Sequence, residues 1–187
     1  MATHKPTLLI LGWSEFLFEH NLSEIRRICD RHGCKIMYDM SHVAGLVAGG
    51  KFQKDMMKYA DIVTSSTGKS LHSSDHGILL YNDPSFTPAV REAVMPLLTS
   101  NTHFHETAAL SVTLLEAKAF GQNYAAQVAG NSKALAEELT SRNFTILCKD
   151  QGFTDSHEII LVLPLQAGDG ATATRLLDLA VFSPSFF

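Results

Sequence analysis

The opening residues constrain the fold most strongly, because they read as a strand, a helix and a second strand. The apolar run TLLILGW (7–13) is typical of a buried strand, and so is KIMYD (35–39). Between them, NLSEIRRICDRHG (21–33) predicts an amphipathic helix that Asn21 caps and Gly33 ends. Two strands joined by such a helix form a parallel, right-handed unit. The sequence therefore predicts an α/β sheet.

The rest of the chain adds strands and then becomes helical. DIVTSST (61–67) and GILLYND (77–83) predict two further strands, and residues 105–121 and 122–142 predict two helices. In the second helix, we expect Leu135 and Leu139 to face inward. FTILCK and EIILVLPL predict two late strands, and TATRLLDLA predicts a last helix.

This order of elements predicts three parts. We expect part of a large sheet domain at 1–100, a helical connection at 101–142 and a truncated small α+β domain at 143–187.

Composition excludes several classes of protein. The 187 residues are 45% hydrophobic and 18% charged, which is typical of a globular protein with a core. A net charge of −4, with basic residues scattered along the chain, argues against nucleic-acid binding. We find no signal peptide and no apolar run long enough to span a membrane. Three cysteines without metal or disulfide spacing indicate a reducing compartment, so we predict a cytoplasmic protein.

Polar side chains follow the ends of the predicted parallel strands. Asp39 ends KIMYD, Lys69 lies just past DIVTSST, Ser14 follows the first strand, and His42 is close to Asp39 in sequence. Ligands of open α/β sheets bind at this edge. A lysine and a carboxylate together suit pyridoxal phosphate, which needs an amine for its aldehyde and an acid for its pyridine nitrogen. Solvation of ordinary loops is the alternative interpretation.

The Gly68-Lys69-Ser70 triplet also raises the possibility of a phosphate loop. That motif needs a glycine five residues before Gly68, where this chain has Val63. It also needs a helix directly after the lysine, and SLHSSDHG has no helical apolar period. We therefore disfavour nucleotide binding.

Histidines near Asp75 and in the 103–105 segment raise the possibility of a metal site. His72 and His76 flank Asp75, and one residue separates His103 from His105. Zinc sites usually combine three or four ligands at helix or turn spacing, and no cysteine is near these histidines. We predict no metal site.

Two segments resemble serine hydroxymethyltransferases. YDMSHVAGLVAGG (38–50) resembles the family's Asp-Met-Ala-His-Ile/Val-Ala-Gly-Leu-Val-Ala stretch, and ADIVTSSTGKSL (60–71) resembles its Ala-Asp-Val-Val-Thr-Thr-Thr-Thr-His-Lys-Thr-Leu segment. AVMP (93–96), NSKALAEEL (131–139) and TDSH (154–157) follow in the family's order. The likeness covers about residues 5–165.

This resemblance implies the aspartate-aminotransferase-like fold of pyridoxal-phosphate enzymes. Lys69 would form the Schiff base with the cofactor, and Asp39 would pair with its pyridine nitrogen. His42 would lie by the phenolic oxygen, Ser14 beside the ring, and Thr67 in the turn under the cofactor. No metal is implied.

The resemblance also implies a function. We expect hydroxymethyl transfer between serine and glycine, which is aldol-type chemistry between Cα and Cβ of a small amino acid, in a homodimer or homo-oligomer. One alternative is an aldolase-like or transaldolase-like enzyme that acts on threonine without folate. Another is a non-catalytic fragment, and a further chain that complements this one is also possible.

Several positions depart from the family's pattern. Gly68 replaces the histidine before the lysine, and Asp75 replaces an arginine. LLTSNT (97–102) replaces a glycine-rich loop. The family's phosphate-binding cup would precede residue 1, and its substrate-carboxylate arginine would follow LLDLA (176–180). We therefore expect this chain to be the central portion of an enzyme, with little activity by itself.

Overall fold

The computed structural model describes residues 3–163 and 169–179. Four strands form one mixed sheet in the order β1-β2-β3-β4, in which the first three are parallel and β4 runs antiparallel to β3. The strands are β1 (Leu8–Leu11), β2 (Lys35–Asp39), β3 (Ile62–Ser66) and β4 (Gly77–Leu80). All four lie within the predicted segments, and the predicted parallel pairing of the first two is confirmed.

The helix between the first two strands, α1 (Leu22–Arg31), begins and ends as predicted. Asn21 is its N-cap, and the Asn21 side chain accepts a hydrogen bond of 3.2 Å from the backbone N–H of Glu24. Gly33 follows the last turn with a φ of +64°, a left-handed conformation that favours glycine. Leu22 on the inner face is buried in the core of the sheet.

Two short helices, α2 (Ala44–Ala48) and α3 (Met56–Tyr59), contribute to one apolar core with the sheet. Met56 packs into this core. Burial of a large apolar side chain contributes about 1.5–3 kcal/mol, so this cluster stabilises the strand ends that carry the polar residues. Its largest fully buried members are Tyr38, Phe16, Phe52, Leu46, Val43 and Val63, and Ile36 is buried in an adjoining small cluster.

A single long helix replaces the two helices predicted at 105–121 and 122–142. Helix α5 (Phe104–Ser141) has 38 residues, which corresponds to about 57 Å at 1.5 Å per residue. Gly121, at the predicted junction, is buried inside this helix, and α2 approaches it so closely that a Cβ on Gly49 would overlap the Gly121 carbonyl. Gly121 therefore permits close packing and does not end the helix.

The expectation that Leu135 faces inward is wrong. Its side chain is 52% exposed, whereas Leu139 packs on a small apolar cluster as expected. The inward row of α5 runs through Ser132 and Ala136, which are buried, to Leu139. These positions are four and three residues apart, as one face of a helix requires.

After α5 the chain forms a small two-stranded antiparallel sheet, β5 (Thr145–Ile146) with β6 (Leu161–Val162). Both strands are shorter than predicted, and the end of the EIILVLPL run lies outside the described residues. The segment between them returns to the first sheet, where the Asp155 N–H donates to the Leu17 carbonyl at 2.8 Å. The predicted boundaries after residues 100 and 142 remain a prediction.

The remaining helical elements are short or terminal. Helix α4 (Thr87–Glu92) follows a 3₁₀ turn at Pro84–Phe86 and leads into an irregular turn at Ala93–Leu98. A 3₁₀ turn covers Lys149–Gln151, and α6 (Asp169–Leu179) coincides with the predicted last helix. None of the helices in residues 3–163 and 169–179 combines the length and apolar character that a bilayer crossing requires.

Candidate active site

Asp39 is the last residue of β2, and hydrogen bonds hold its carboxylate at the strand end. Oδ2 accepts from the Thr64 hydroxyl at 2.7 Å, and Oδ1 accepts from the Ser41 N–H at 3.0 Å. Partial burial alone would raise the pKa of Asp39, but these hydrogen bonds and the charge of Lys69 outweigh it and lower that pKa. Asp39 is therefore an anion at neutral pH.

Gly12 allows the loop after β1 to lie directly against Asp39. A Cβ on Gly12 would come within 2.7 Å of the Asp39 Cβ and 2.9 Å of its carbonyl oxygen. Only glycine fits such an approach without moving the backbone. The loop that carries Ser14 therefore begins beside the carboxylate.

The loop that carries Lys69 is fixed at both ends. The Thr67 side chain is fully buried, and its hydroxyl contacts the Ser74 carbonyl and accepts from the His76 N–H at 2.8 Å. On the other side, the Gly45 N–H donates to the Ser70 hydroxyl at 3.2 Å, and a Cβ on Gly45 would overlap the Ser70 carbonyl. Helix α2 and the strand end thus hold Lys69 between them.

Lys69 and His42 meet directly. The Lys69 Nζ is 3.0 Å from the Nε2 of His42, while the lysine side chain remains exposed and accessible. Burial lowers the pKa of His42, the nearby charge of Lys69 lowers it further, and the carboxylates of Glu15 and Asp39 oppose this. His42 is therefore neutral at neutral pH, and one of its ring nitrogens has a free lone pair.

A cleft of about 400 Å³ opens beside this pair. Its lining is mostly apolar with a few polar groups, as in small-molecule sites. His72 and Tyr124 form one of its polar contacts, with 2.6 Å between the His72 Nε2 and the Tyr124 hydroxyl. The lining residues are His42, Leu46, Lys69, Ser70, His72, Tyr124, Val128 and His157.

The structure thus brings together three of the five predicted site residues: Lys69, Asp39 and His42. Ser14 is exposed and makes no hydrogen bond within the described part of the chain. The Thr67 hydroxyl is occupied by the backbone of its own loop, so the structure places it as a support for that loop. The phosphate-loop geometry is absent at Lys69, since a turn and then β4 follow it in place of a helix.

Histidines near Asp75 and in the 103–105 segment lie close to an acid of helix α5. His103 and His76 approach the carboxylate of Glu106 at 3.4 and 3.6 Å. Within residues 3–163 and 169–179, no group of three or more His, Cys, Asp or Glu side chains is arranged to hold a metal ion.

Two departures from the family's pattern are coupled in space. The Asp75 carboxylate lies so close to Gly68 that a Cβ at Gly68 would overlap its Oδ1. Any side chain at position 68 would therefore require the Asp75 carboxylate to move.

Sequence reasoning missed Glu158, which lies beside His42. Its Oε2 accepts from the Phe16 N–H at 2.6 Å, and its Oε1 is 4.0 Å from the Nδ1 of His42 and 3.5 Å from the Nε2 of His157. Burial raises the pKa of Glu158; the Phe16 N–H opposes this and the charge of Glu15 adds to it. The available signal was an acid directly after a histidine at the start of the apolar run IILVL.

Comparison with known proteins identifies the family of this chain. A family model described as serine hydroxymethyltransferase matches residues 1–183. The chain belongs to the serine hydroxymethyltransferase family. Both the resemblance and the expected α/β fold class are confirmed.

The curated relatives carry the same family name. The serine hydroxymethyltransferase of Methanocella arvoryzae is 42% identical over 172 residues, which cover 92% of this chain and 40% of the relative. That of Methanobrevibacter smithii is 43% identical over 157 residues, covering 84% and 37%. That of Thermoplasma volcanium is 42% identical over 173 residues, covering 92% and 41%. The chain therefore spans about 40% of the length of these relatives.

Proposed function

We propose that this chain contributes the lysine, the acid and the imidazole of a pyridoxal-phosphate site, in a protein that catalyses aldol-type chemistry on serine, glycine or a related small amino acid. The observation that carries the proposal is the 3.0 Å contact between Lys69 and His42 on the rim where Asp39 is held as an anion. Family membership supports the same reaction class.

The residues present fit this cofactor. Pyridoxal phosphate needs a primary amine for its aldehyde, a carboxylate for its pyridine nitrogen and a hydrogen-bonding partner for its phenolic oxygen. Lys69 is exposed and next to the cleft, Asp39 is ionised, and His42 has a ring nitrogen within reach of both solvent and amine. Lys69 would hold the cofactor, with Asp39 and His42 as its polar partners.

When bound, pyridoxal phosphate supplies an electron-accepting ring for bond cleavage at the substrate α-carbon. Asp39 would support this by offering a negative charge to the pyridine nitrogen, and its hydrogen bonds from Thr64 and Ser41 fix that charge in place. His42 can accept a proton from the Lys69 amine at 3.0 Å, which turns the amine into a nucleophile.

We infer that further residues reach this site from another part of the protein or another copy of it. The described residues expose large apolar side chains, among them Ile10 on β1 and Leu98 in the turn after α4, at 61% and 78%. Exposed apolar surface and an open edge at β1 are typical of surfaces that pair with other protein. A homo-oligomer or a complementing chain would cover them.

Chemical trapping tests the assignment of Lys69. The chain is incubated with pyridoxal phosphate and reduced with borohydride, and the labelled peptide is mapped by mass spectrometry. We expect the label on Lys69, with loss of labelling in Lys69→Arg, which keeps the charge but cannot condense with the aldehyde. Lys51→Arg, which changes another exposed lysine, serves as the matched control and should label as the wild type does. Labelling that is spread over other lysines, and unchanged in Lys69→Arg, would disprove the proposal.

A further inference from the structure

Glu158, His42 and Lys69 form a line of three groups. The Nε2 of His42 contacts the Lys69 Nζ at 3.0 Å, and the Nδ1 on the other side of the ring faces the Glu158 Oε1 at 4.0 Å. Both the histidine and the glutamate side chains are largely buried, at 30% and 23% exposed. A carboxylate, an imidazole and an amine thus follow one another at the wall of the cleft.

We propose that Glu158 is a positioning residue that keeps the proton of His42 on Nδ1, so that the Nε2 lone pair faces Lys69. The inference rests on the proposed function, because it assigns to Glu158 the orientation of the group that takes a proton from Lys69. Glu158 itself acts through the imidazole and contacts neither the amine nor a substrate.

The hydrogen bonds of Glu158 determine which atom faces the imidazole. Oε2 is engaged by the Phe16 N–H at 2.6 Å, so Oε1 is the oxygen presented to the ring. An ionised carboxylate only accepts hydrogen bonds, and an acceptor opposite Nδ1 favours the tautomer with the proton there. The 4.0 Å separation exceeds a direct hydrogen bond. One bridging water would favour the same tautomer, because it would accept a hydrogen bond from Nδ1–H and donate one to the carboxylate.

The other charged groups around the pair agree with this tautomer. Lys69 places a positive charge at Nε2, which favours a lone pair on that nitrogen. Asp39 and Glu15 also raise the pKa of His42, but neither makes a hydrogen bond or ion pair with its Nδ1 within the described residues.

His157 competes for the same oxygen from 3.5 Å. Burial lowers the pKa of His157, and the neighbouring charges of His42 and His72 lower it further. It is therefore a neutral ring beside the carboxylate and leaves the acceptor character of Glu158 unchanged.

The arrangement depends on the ionisation of Glu158. Burial raises the pKa of this carboxyl, and on protonation Oε1 becomes able to donate a hydrogen bond. The preference for a proton on the Nδ1 of His42 is then lost. Where the His42 ring is neutral, the preference for a proton on Nδ1 should therefore weaken as Glu158 becomes protonated.

Nitrogen-15 NMR of the histidine rings, recorded on the full chain without cofactor, tests the proposal. The His42 signals are assigned with His42→Asn. In the wild type we expect the proton on Nδ1. In Glu158→Gln the Phe16 N–H still requires an oxygen, so the amide NH₂ must face His42; a water that accepts from this NH₂ then donates to Nδ1. The proton signal should then move to Nε2.

Two further variants make the result specific. Glu15→Gln removes a nearby negative charge without changing the atom opposite Nδ1, so the wild-type tautomer should persist. Glu158→Asp restores a carboxylate and should restore the proton on Nδ1, even if Glu158→Gln does not fold. Retention of the wild-type tautomer in folded Glu158→Gln, an Nε2 proton in Glu158→Asp, or the same change in Glu15→Gln would overturn the proposal. Because no cofactor is present, the outcome is independent of whether pyridoxal phosphate labels Lys69.

Discussion

The sheet region at residues 8–80 and the helical region at residues 93–141 both contain many large apolar side chains, but only the sheet region contains large ones that are fully buried. Phe52, Ile36 and Val63 in the sheet region are fully buried. In the helical region, Phe104 and Phe120 are 79% and 68% exposed. Phe52 in the sheet region and Phe104 in the helical region thus differ in their exposed fraction by most of the side-chain surface.

The buried residues of α5 explain this difference. They are all small: Gly121, Ala125, Ser132 and Ala136. A Cβ on Gly49 would overlap the Gly121 carbonyl and the Ala125 Cβ, so α2 and α5 pack through close backbone approach. The sheet region is stabilised by large side chains that fill a core, and α5 packs on it through these small residues together with the partly buried Leu110 and Val128.

The largest expected effect tests this contrast on two phenylalanines. Phe52→Ala removes a ring that packs edge-on against Phe16 at 5.8 Å and should lower the free energy of unfolding by about 3–5 kcal/mol. Phe120→Ala removes an exposed ring and should change it by less than about 0.5 kcal/mol. Denaturant unfolding followed by circular dichroism measures both. Similar losses in the two variants would show that the large apolar side chains of α5 are buried in solution, for instance in a self-associated form.

The same contrast decides what could be predicted from the sequence. The strands, α1 with its cap and the convergence of Asp39, His42 and Lys69 follow local patterns and the rule for parallel strand ends, and the structure agrees with them. The unbroken α5 and the outward Leu135 were mispredicted, because burial there depends on which residues of α5 contact α2 and the segment after α5, and not on residue type. The spacing of apolar residues along the sequence does not show which face of α5 is buried.

Glu158 was missed for a similar reason. It is 142 residues from Phe16 in sequence, and its position depends on the return of the segment after β5 to the loop after β1. The coupling of Gly68 with Asp75 could not be predicted either, since it is a contact across a loop whose shape follows from the Thr67 hydrogen bonds. Spacing along the chain identifies groups at strand ends, but it does not identify groups that approach them from elsewhere.

A smaller effect concerns the acid sensitivity of the sheet region. Thr64→Val removes the 2.7 Å hydrogen bond to ionised Asp39, and hydrogen bonds to charged groups contribute about 1.5–3 kcal/mol. Because the pKa of Asp39 is lowered in the folded state, its stabilisation is present above the unfolded-state value of about 3.9 and is lost as the pH falls through the folded-state pKa. The loss in Thr64→Val should therefore be full at pH 7 and shrink in acid.

Urea unfolding of wild type and Thr64→Val at several pH values measures this dependence. Thr113→Val, which removes an α5 hydroxyl that donates only to the Ala109 carbonyl, is the control and should show no dependence on pH. A difference between wild type and Thr64→Val that stays constant down to pH 3 would mean that the hydroxyl does not stabilise the carboxylate. A pH-dependent effect at Thr113 would remove the distinction between the two regions.

The smallest expected effects come from two glycines, one at the contact between α2 and α5 and one on the open surface of α5. Gly49 lies where α2 meets α5 and has no room for a Cβ, whereas Gly130 lies within α5 with open space around it. Gly49→Ala should destabilise by about 1–3 kcal/mol, since overpacking forces the helices apart. Gly130→Ala should stabilise by roughly 0.5–1 kcal/mol, because alanine loses less backbone entropy in a helix. Unfolding free energies of opposite sign, with amide exchange of α5 accelerated only in Gly49→Ala, would show that this contact joins the two regions. If Gly49→Ala is neutral and leaves amide exchange in α5 unchanged, α5 does not depend on close packing against α2, and the two regions are held together elsewhere.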